Sequence, residues 1–557
     1  MLAGLCGVRI MIRSAIFRLI HTVRPRRAVA LKPAAMMPVP LALTIATRTL
    51  LLCALAMPAC AQEGGKGEDG VPAASQGALH GDLSSELAQG GQHSVRGALA
   101  YDRDGMSLDA SMDELRNGNY RDGSVFHQRG FNGGAEWKLR QGRFGFTVDE
   151  LKQDTRYPAP EAPYLAMLAA RPEDLYRYEV RRASAFVQRY VGSFELGVEL
   201  SQREKRADAL YAGEEGSAES SYRSRWRQLS PRVRHYGKLG GVGTDTEVGL
   251  DLTQWERRSG RAALGRDGNA QRRQNARALL LREELAFGGV VAPRLLLGLR
   301  HEQIQLDPAD MPADGGNWEN QNAWDVQGSL QLRPQLSVYA KAARSYHIDD
   351  DGYTSAGYRP LTGQERRETE LGATYGDAVR SASVRVFSER LSNQIVFDQS
   401  LGQLGFVGNL EPSRRDGIAI EASVALARDW RLDGQVRQVH ARYDEYAYDG
   451  PDIALVPKTL ASVRLYWAGP RGASADLGVQ WLRALRYGPD FDNSCLAQVP
   501  AFATVDGRYV RKLGAWELEL AGSNLANRRH YGDAPGCRSS IYQNDKRQLR
   551  VSARYHF

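Results

Sequence analysis

The chain has 557 residues, 42% hydrophobic and 25% charged, with 73 Lys+Arg against 65 Asp+Glu and a formal charge of +8. That composition excludes a wholly disordered chain. The positive charge suggests a nucleic-acid or anionic-surface binder. However, eight basic residues (Arg9, Arg13, Arg18, Arg24, Arg26, Arg27, Lys32 and Arg48) and no acidic ones lie in residues 1–61, so 8 − 8 leaves residues 62–557 neutral. A basic nucleic-acid binder is therefore excluded.

Met36 to Ala61 contains the apolar run Leu50–Met57 and ends Ala59-Cys60-Ala61 before Gln62. This is the composition of a secretory signal peptide, and the run is shorter than the roughly 20 apolar residues a spanning helix needs. An uncleaved anchor and a lipidated Cys60 are the alternatives. Residues 1–35 form an over-long basic region, so the start is expected at Met36 or Met37. Cleavage after Ala61 removes Cys6, Cys53 and Cys60 and leaves Cys495 and Cys537, expected to form one disulfide in an exported protein; two free thiols are the alternative. Residues 62–80 are polar and Gly-rich and read as a flexible linker.

From residue 81 to 557 the recurring signal is period two. Phe194, Leu196, Val198 and Leu200 alternate with Glu195, Gly197, Glu199 and Ser201. Trp324, Val326, Leu330 and Leu332 alternate with Asp325, Gln327, Ser329 and Gln331, and Ile418 to Leu426 repeats the pattern. At the C-terminus Leu549, Val551, Ala553, Tyr555 and Phe557 share one face, and Gln548, Arg550, Ser552, Arg554 and His556 the other. Runs of about 9–11 residues suit tilted strands crossing a bilayer, and the chain stops on an aromatic inside its last strand. A soluble sandwich would show the same alternation but not that ending.

Ten short turns separate these runs, from Asp102–Gly105 to Leu513-Gly514, and longer polar connections such as 152–178, 255–276, 344–364 and 524–546 lie between them. Short turns on one side and long loops on the other describe an outer-membrane barrel. With both ends on the short-turn side, ten turns require eleven loops. The fold expected is all-β: a transmembrane antiparallel β-barrel of about 22 strands. Its polar faces carry Glu195, Asp251, Arg300, Lys341, Arg385, Glu421, Arg437, Arg464, Glu519 and Arg550, expected to line water.

The C-terminal third resembles the barrel of TonB-dependent outer-membrane receptors. The matching segments, in family order, are Leu361–Glu365 with Glu370-Leu371-Gly372, Leu391–Asp398, Gly408-Asn409 through Gly417–Glu421, Val456-Pro457-Lys458, Ser523–Asn527 with Tyr531, and Tyr555-His556-Phe557. The resemblance implies uptake of a ferric siderophore or similar large nutrient, contact with outer-membrane lipid, and insertion by the barrel-assembly machinery, with Tyr555 and Phe557 as the assembly signal. It also implies a plug domain that contacts the TonB complex. Residues 62–80 are too few to build a plug, so coupling to TonB is expected only if a plug is supplied. A passive pore and a surface ligand-binding barrel are the alternatives.

Ligand-contact candidates are loop aromatics beside cations: Tyr120 with Arg121, Arg156 with Tyr157, Tyr353 and Tyr358 with Arg359, and Tyr446. Stacking and cation–π contact to an anionic chelate would use them; an interfacial aromatic belt would use the same residue types. His347 follows Arg344-Ser345-Tyr346 where haem receptors carry a motif, but the companion motif is missing, so a surface histidine is expected. Asp349–Asp351 with Gly352 lacks the spacing of a calcium loop. No hydrolase, zinc-protease or nucleotide-binding motif sits in a suitable setting, and neither an enzyme nor a resident cofactor is expected.

Overall fold

The computed structural model describes residues 78–117, 125–156, 175–213, 216–263, 266–308, 318–348, 362–398, 406–410, 412–444, 450–487, 490, 493–495, 498–533, 542–543 and 546–557. The strands are β1 (Ala78–Ala88), β2 (His93–Arg103), β3 (Met106–Asn117), β4 (Val125–Leu139), β5 (Gly142–Arg156), β6 (Leu175–Val191), β7 (Phe194–Gly213), β8 (Gly216–Leu239), β9 (Val242–Ala263), β10 (Arg266–Ala286), β11 (Arg294–Pro308), β12 (Trp318–Arg333) and β13 (Leu336–His347). They continue as β14 (Gln364–Gly376), β15 (Arg380–Ser392), β16 (Gln394–Asp398), β17 (Phe406–Leu410), β18 (Ser413–Ala427), β19 (Trp430–Tyr443), β20 (Thr459–Ala468), β21 (Ala473–Leu482), β22 (Phe502–Leu513), β23 (Trp516–Ser523), β24 (Tyr531–Asp533), β25 (Tyr542–Gln543) and β26 (Gln548–His556).

All but β16, β17, β24 and β25 join one 22-stranded antiparallel sheet, and β26 pairs with β1, so the sheet closes on itself. Closure satisfies every ladder and leaves no edge, the condition for strands to cross a bilayer. The alternation supplies the outer surface. Phe194, Leu196, Val198 and Leu200 are 42–58% exposed, and Leu371, Val386, Ile420, Val436 and Val551 are also exposed. This is the lipid-facing band of a spanning barrel, with polar partners on the lumenal side. Among the described residues, no helix is long and apolar enough to cross a membrane.

All ten short turns fall where the sequence places them. The Leu239–Thr244 turn closes on Gly240 and Gly241, at φ +56° and +89°, a conformation that fits the twist of a tight hairpin and strains any residue with a Cβ. The opposite end differs from expectation. Residues 255–276 are largely ladder rather than loop: β9 and β10 pair from Gly243–Ala286 out to Ala263–Arg266. The neighbouring β7 and β8 likewise pair out to Gly213–Gly216. Arginine-rich polarity hid these extensions, because the outward face of a strand that rises past the lipid need not be apolar. β1 also opens at Ala78, inside the stretch expected to be linker, since Leu79 continues the Leu83, Leu87 alternation.

Candidate functional site

The lumenal wall is a lattice of ion pairs spanning several strands. In β9, Asp251 is 4% exposed and accepts from Arg232 Nη2 of β8 (2.5 Å), Arg300 Nη1 of β11 (2.6 Å) and Ser230 Oγ (2.8 Å). Tyr346 donates to Glu302, and Arg300 Nε donates to Tyr346 (3.0 Å). In β21, Asp476 accepts from Arg464 of β20 and from Arg508 Nε of β22 (2.9 Å). Removing such charges from bulk water costs several kcal/mol each, so they persist where two or three donors converge.

A second group lines β14, β15, β18 and β19 towards the long-loop end. Register places Glu370 opposite Phe387, Phe387 opposite Gly417, Glu389 opposite Arg415, and Ala419 opposite Arg437, all on the face away from exposed Leu371, Val386 and Ile420. Phe387 is 5% exposed, with the Arg385 and Arg437 guanidinium carbons 5.5 Å and 5.4 Å from its ring centroid. Gly417 makes room for it, because a Cβ there would collide with the Phe387 ring. Glu370 accepts from Arg385 Nη1 (3.1 Å) and Tyr339 Oη (2.5 Å), and Arg366 Nη2 reaches Glu389 (2.5 Å) and Glu368 (3.3 Å). Lys341 approaches Glu368 at 3.4 Å. Five cations (Lys341, Arg366, Arg385, Arg415, Arg437) thus face three carboxylates (Glu368, Glu370, Glu389), and 5 − 3 leaves +2. Nε of Arg366 and Nε of Arg415 are buried without a hydrogen-bond partner. This surface can hold an anion by its guanidinium forks, with the buried Phe387 ring fixing Arg385 and Arg437 beside it.

Two connections close over this wall. Ile453 packs with Phe387, Val439, Ala441 and Tyr443, and its N–H donates to Ala441 O (3.0 Å). Asn493, at φ +57°, exchanges two bonds with the Asp452 backbone (2.9 and 2.8 Å) and so ties residues 483–501 to this loop. Cys495, 3% exposed, packs with Tyr487 and Val499 and donates its N–H to Asp490 (3.0 Å).

Of the expected contact residues, Tyr120, Arg121, Tyr157, Tyr353, Tyr358, Arg359 and Tyr446 lie outside the described residues, as do Asp349–Asp351, Gly352 and Cys537. Arg156 ends β5 and is exposed, paired in register with Val125 and Leu175. His347 ends β13, exposed and opposite Gln364. Tyr555 lies 5.0 Å from Trp516 and 6.1 Å from Phe557, ring to ring. The alternation places Arg385 and Arg437 in the lumen, as found, and does not single out Phe387. Its signal was an aromatic on the polar face, between Arg385 and Glu389 at steps of two. Among the described residues, no group of three or more His, Cys, Asp and Glu side chains could hold a metal ion.

Twenty-two antiparallel strands closed around a charged lumen define a β-barrel of the outer-membrane type. The family model "TonB dependent receptor-like, beta-barrel" matches residues 73–525, and the chain belongs to that family. A search of curated protein sequences finds no match. Among solved structures, the unliganded ferric citrate transporter shares 13% identity over 86% of this chain and 78% of its own, with a TM-score of 0.73. The ferric preacinetobactin receptor of Acinetobacter baumannii shares 13% over 86% and 80%, TM-score 0.70. The ferric yersiniabactin uptake receptor of Yersinia pestis shares 16% over 86% and 80%, TM-score 0.68. At these identities the likeness is one of fold.

Proposed function

We propose that the barrel is the membrane-spanning part of a receptor that takes up a ferric siderophore, or a similar large anionic chelate, across the outer membrane of a Gram-negative bacterium. The observation that carries this is the net positive lumenal surface around Phe387, in a family whose neighbours are named for ferric citrate, preacinetobactin and yersiniabactin. Tyr120, Arg121, Arg156, Tyr157, Tyr353, Tyr358, Arg359 and Tyr446 would make the first contacts. Arg366, Arg385, Arg415 and Arg437 would then receive the anion. Residues 1–61 would direct export, Cys537 would partner Cys495, and Tyr555 with Phe557 would present the chain to the assembly machinery. Energy coupling through TonB would need a plug.

The test is equilibrium binding of purified barrel to a panel of ferric chelates, with Arg415→Gln/Arg437→Gln alongside. Tighter binding of anionic than of neutral chelates, lost in the variant, supports the reading. Equal binding of all, or none, ends it. One observation favours a passive pore as a second reading: Asp251, Asp476 and Glu370 are each satisfied by the wall itself. A planar-bilayer recording without conductance would eliminate that reading.

A further inference from the structure

β6–β10 carry two unlike rows of charge on their outward face, the face of Leu200, Leu229 and Leu252. In the lower row, register runs Arg181, Glu204, Arg225, Glu256, Arg273, alternating in sign at every strand. Arg225 Nε meets Glu204 at 2.8 Å and Arg273 Nε meets Glu256 at 3.3 Å. One step further from the lipid, Arg206, Arg223 and Arg258 stand directly abreast on β7, β8 and β9. Arg206 has Asp208 at 3.0 Å. Arg223 and Arg258 are exposed and make no hydrogen bond or ion pair among the described residues. Like charges directly opposite one another destabilise a sheet, so this row is one an external anion would stabilise.

Height identifies the anion. Each arginine lies six residues beyond the last strongly exposed leucine of its strand, Leu200, Leu229 or Leu252. At ~3.3 Å per residue and a tilt of about 40°, this is roughly 15 Å above the hydrocarbon edge. A phospholipid headgroup layer extends only about 5–8 Å beyond that edge. Phosphates that reach the row must be carried on sugars above the headgroups.

We propose that Arg206, Arg223 and Arg258 form a docking strip for sugar-borne phosphates of an outer-leaflet glycolipid. The strip faces outward, away from the lumenal wall, and the inference rests on the outer-membrane placement but not on any transported ligand. Guanidinium forks donate to phosphate oxygens in pairs, and three abreast would hold one or two phosphate groups. Contact would weaken as salt rises.

The experiment measures binding of the purified full barrel, in detergent, to lipopolysaccharide with a phosphorylated core, to the same material with core phosphates removed, and to phospholipid vesicles. The variant Arg206→Gln/Arg223→Gln/Arg258→Gln is expected to bind phosphorylated lipopolysaccharide about tenfold more weakly. Core dephosphorylation should cost the parent about the same factor. Without lipopolysaccharide the variant should unfold at or above the parent's temperature, since repulsion has been removed, whereas a merely structural row would give a lower midpoint. Arg225→Gln should lower the midpoint and leave affinity unchanged. Should the triple variant not assemble, Arg223→Gln alone should still weaken binding about threefold. Equal affinity for parent and variants, indifference to core phosphate, or equally tight binding of DNA or of phospholipid vesicles would overturn the assignment. Ferric-chelate binding by the same variant reports separately on the proposed transport role.

Discussion

Asp251 of β9 and Arg300 of β11 meet at 2.6 Å although β10 runs between them. Between them Ala278 of β10, 1% exposed, stands opposite Asp251 and Glu302 in register, a small side chain flanked by the two charged strands. Ala278→Leu should part the pair and destabilise the barrel by about 1–3 kcal/mol through overpacking and a lost charge-assisted bond. Thermal unfolding in detergent reads this, and an unchanged midpoint would refute the need for a small residue there.

Gly417→Ala should push Phe387 from its place between Arg385 and Arg437, since the new methyl occupies the ring's position. A cost of about 1–3 kcal/mol is expected, together with weaker binding of an anionic ferric chelate. Isothermal titration beside a melting curve separates the two effects. Preserved affinity with lowered stability would restrict Phe387 to a packing role.

The short turn between β14 and β15 depends on Asp377, whose carboxylate accepts from the Val379 and Arg380 N–H groups (both 2.8 Å) and from Tyr375 Oη (2.9 Å). Those bonds, the backbone pair first, hold its carboxyl well below the usual range. A depressed folded pKa contributes stability that is fully present above the unfolded value near 4 and is lost as pH falls through the folded value. Protection of the Val379 and Arg380 amides, taken relative to their intrinsic exchange rate at each pH, should therefore be flat from pH 5 to 8 and fall only in strong acid. Asp377→Ala should exchange fast throughout; a variant indistinguishable from the parent at pH 7 would contradict the capping role.

Phe557 and Gly81 exchange two backbone bonds, 3.1 and 2.9 Å, and a Cβ on Gly81 would meet Ala98 O and the Phe557 ring. Gly81→Val, or removal of Phe557, should reduce the heat-modifiable fraction on a cold gel. Undiminished assembly in both would show that the seam does not need them.

Asn493→Ala removes both bonds to Asp452 and leaves a non-glycine residue at positive φ without its local compensation. Protease cleavage within residues 483–501 should quicken while the barrel's melting temperature stays within about 2 °C, because loop tips open independently of the ladder.

The barrel was legible because its two physical demands, an apolar face for lipid and tight turns at one end, write period two and Gly/Asp punctuation directly into the chain. Phe194–Leu200 and the ten turns show both. The β7–β10 extensions were illegible for the converse reason: above the lipid neither face must be apolar, and residues such as Arg223 and Arg258 look like loop. The Phe387 site was half legible. Arg385 and Arg437 announced a charged lumen, but their convergence on one ring depends on Gly417 and on register between strands, which no single segment encodes.

The two hairpins β7–β8 and β9–β10, joined by two residues each, carry a kinetic consequence. Their ladders link residues close in the chain, so little loop entropy opposes them. The β1–β26 ladder instead joins residues 82–88 to residues 550–556, more than 450 positions apart in the chain. Assembly should therefore start at the tall hairpins and finish at the seam, so that in pulsed exchange the β8 and β9 amides gain protection before those of β26.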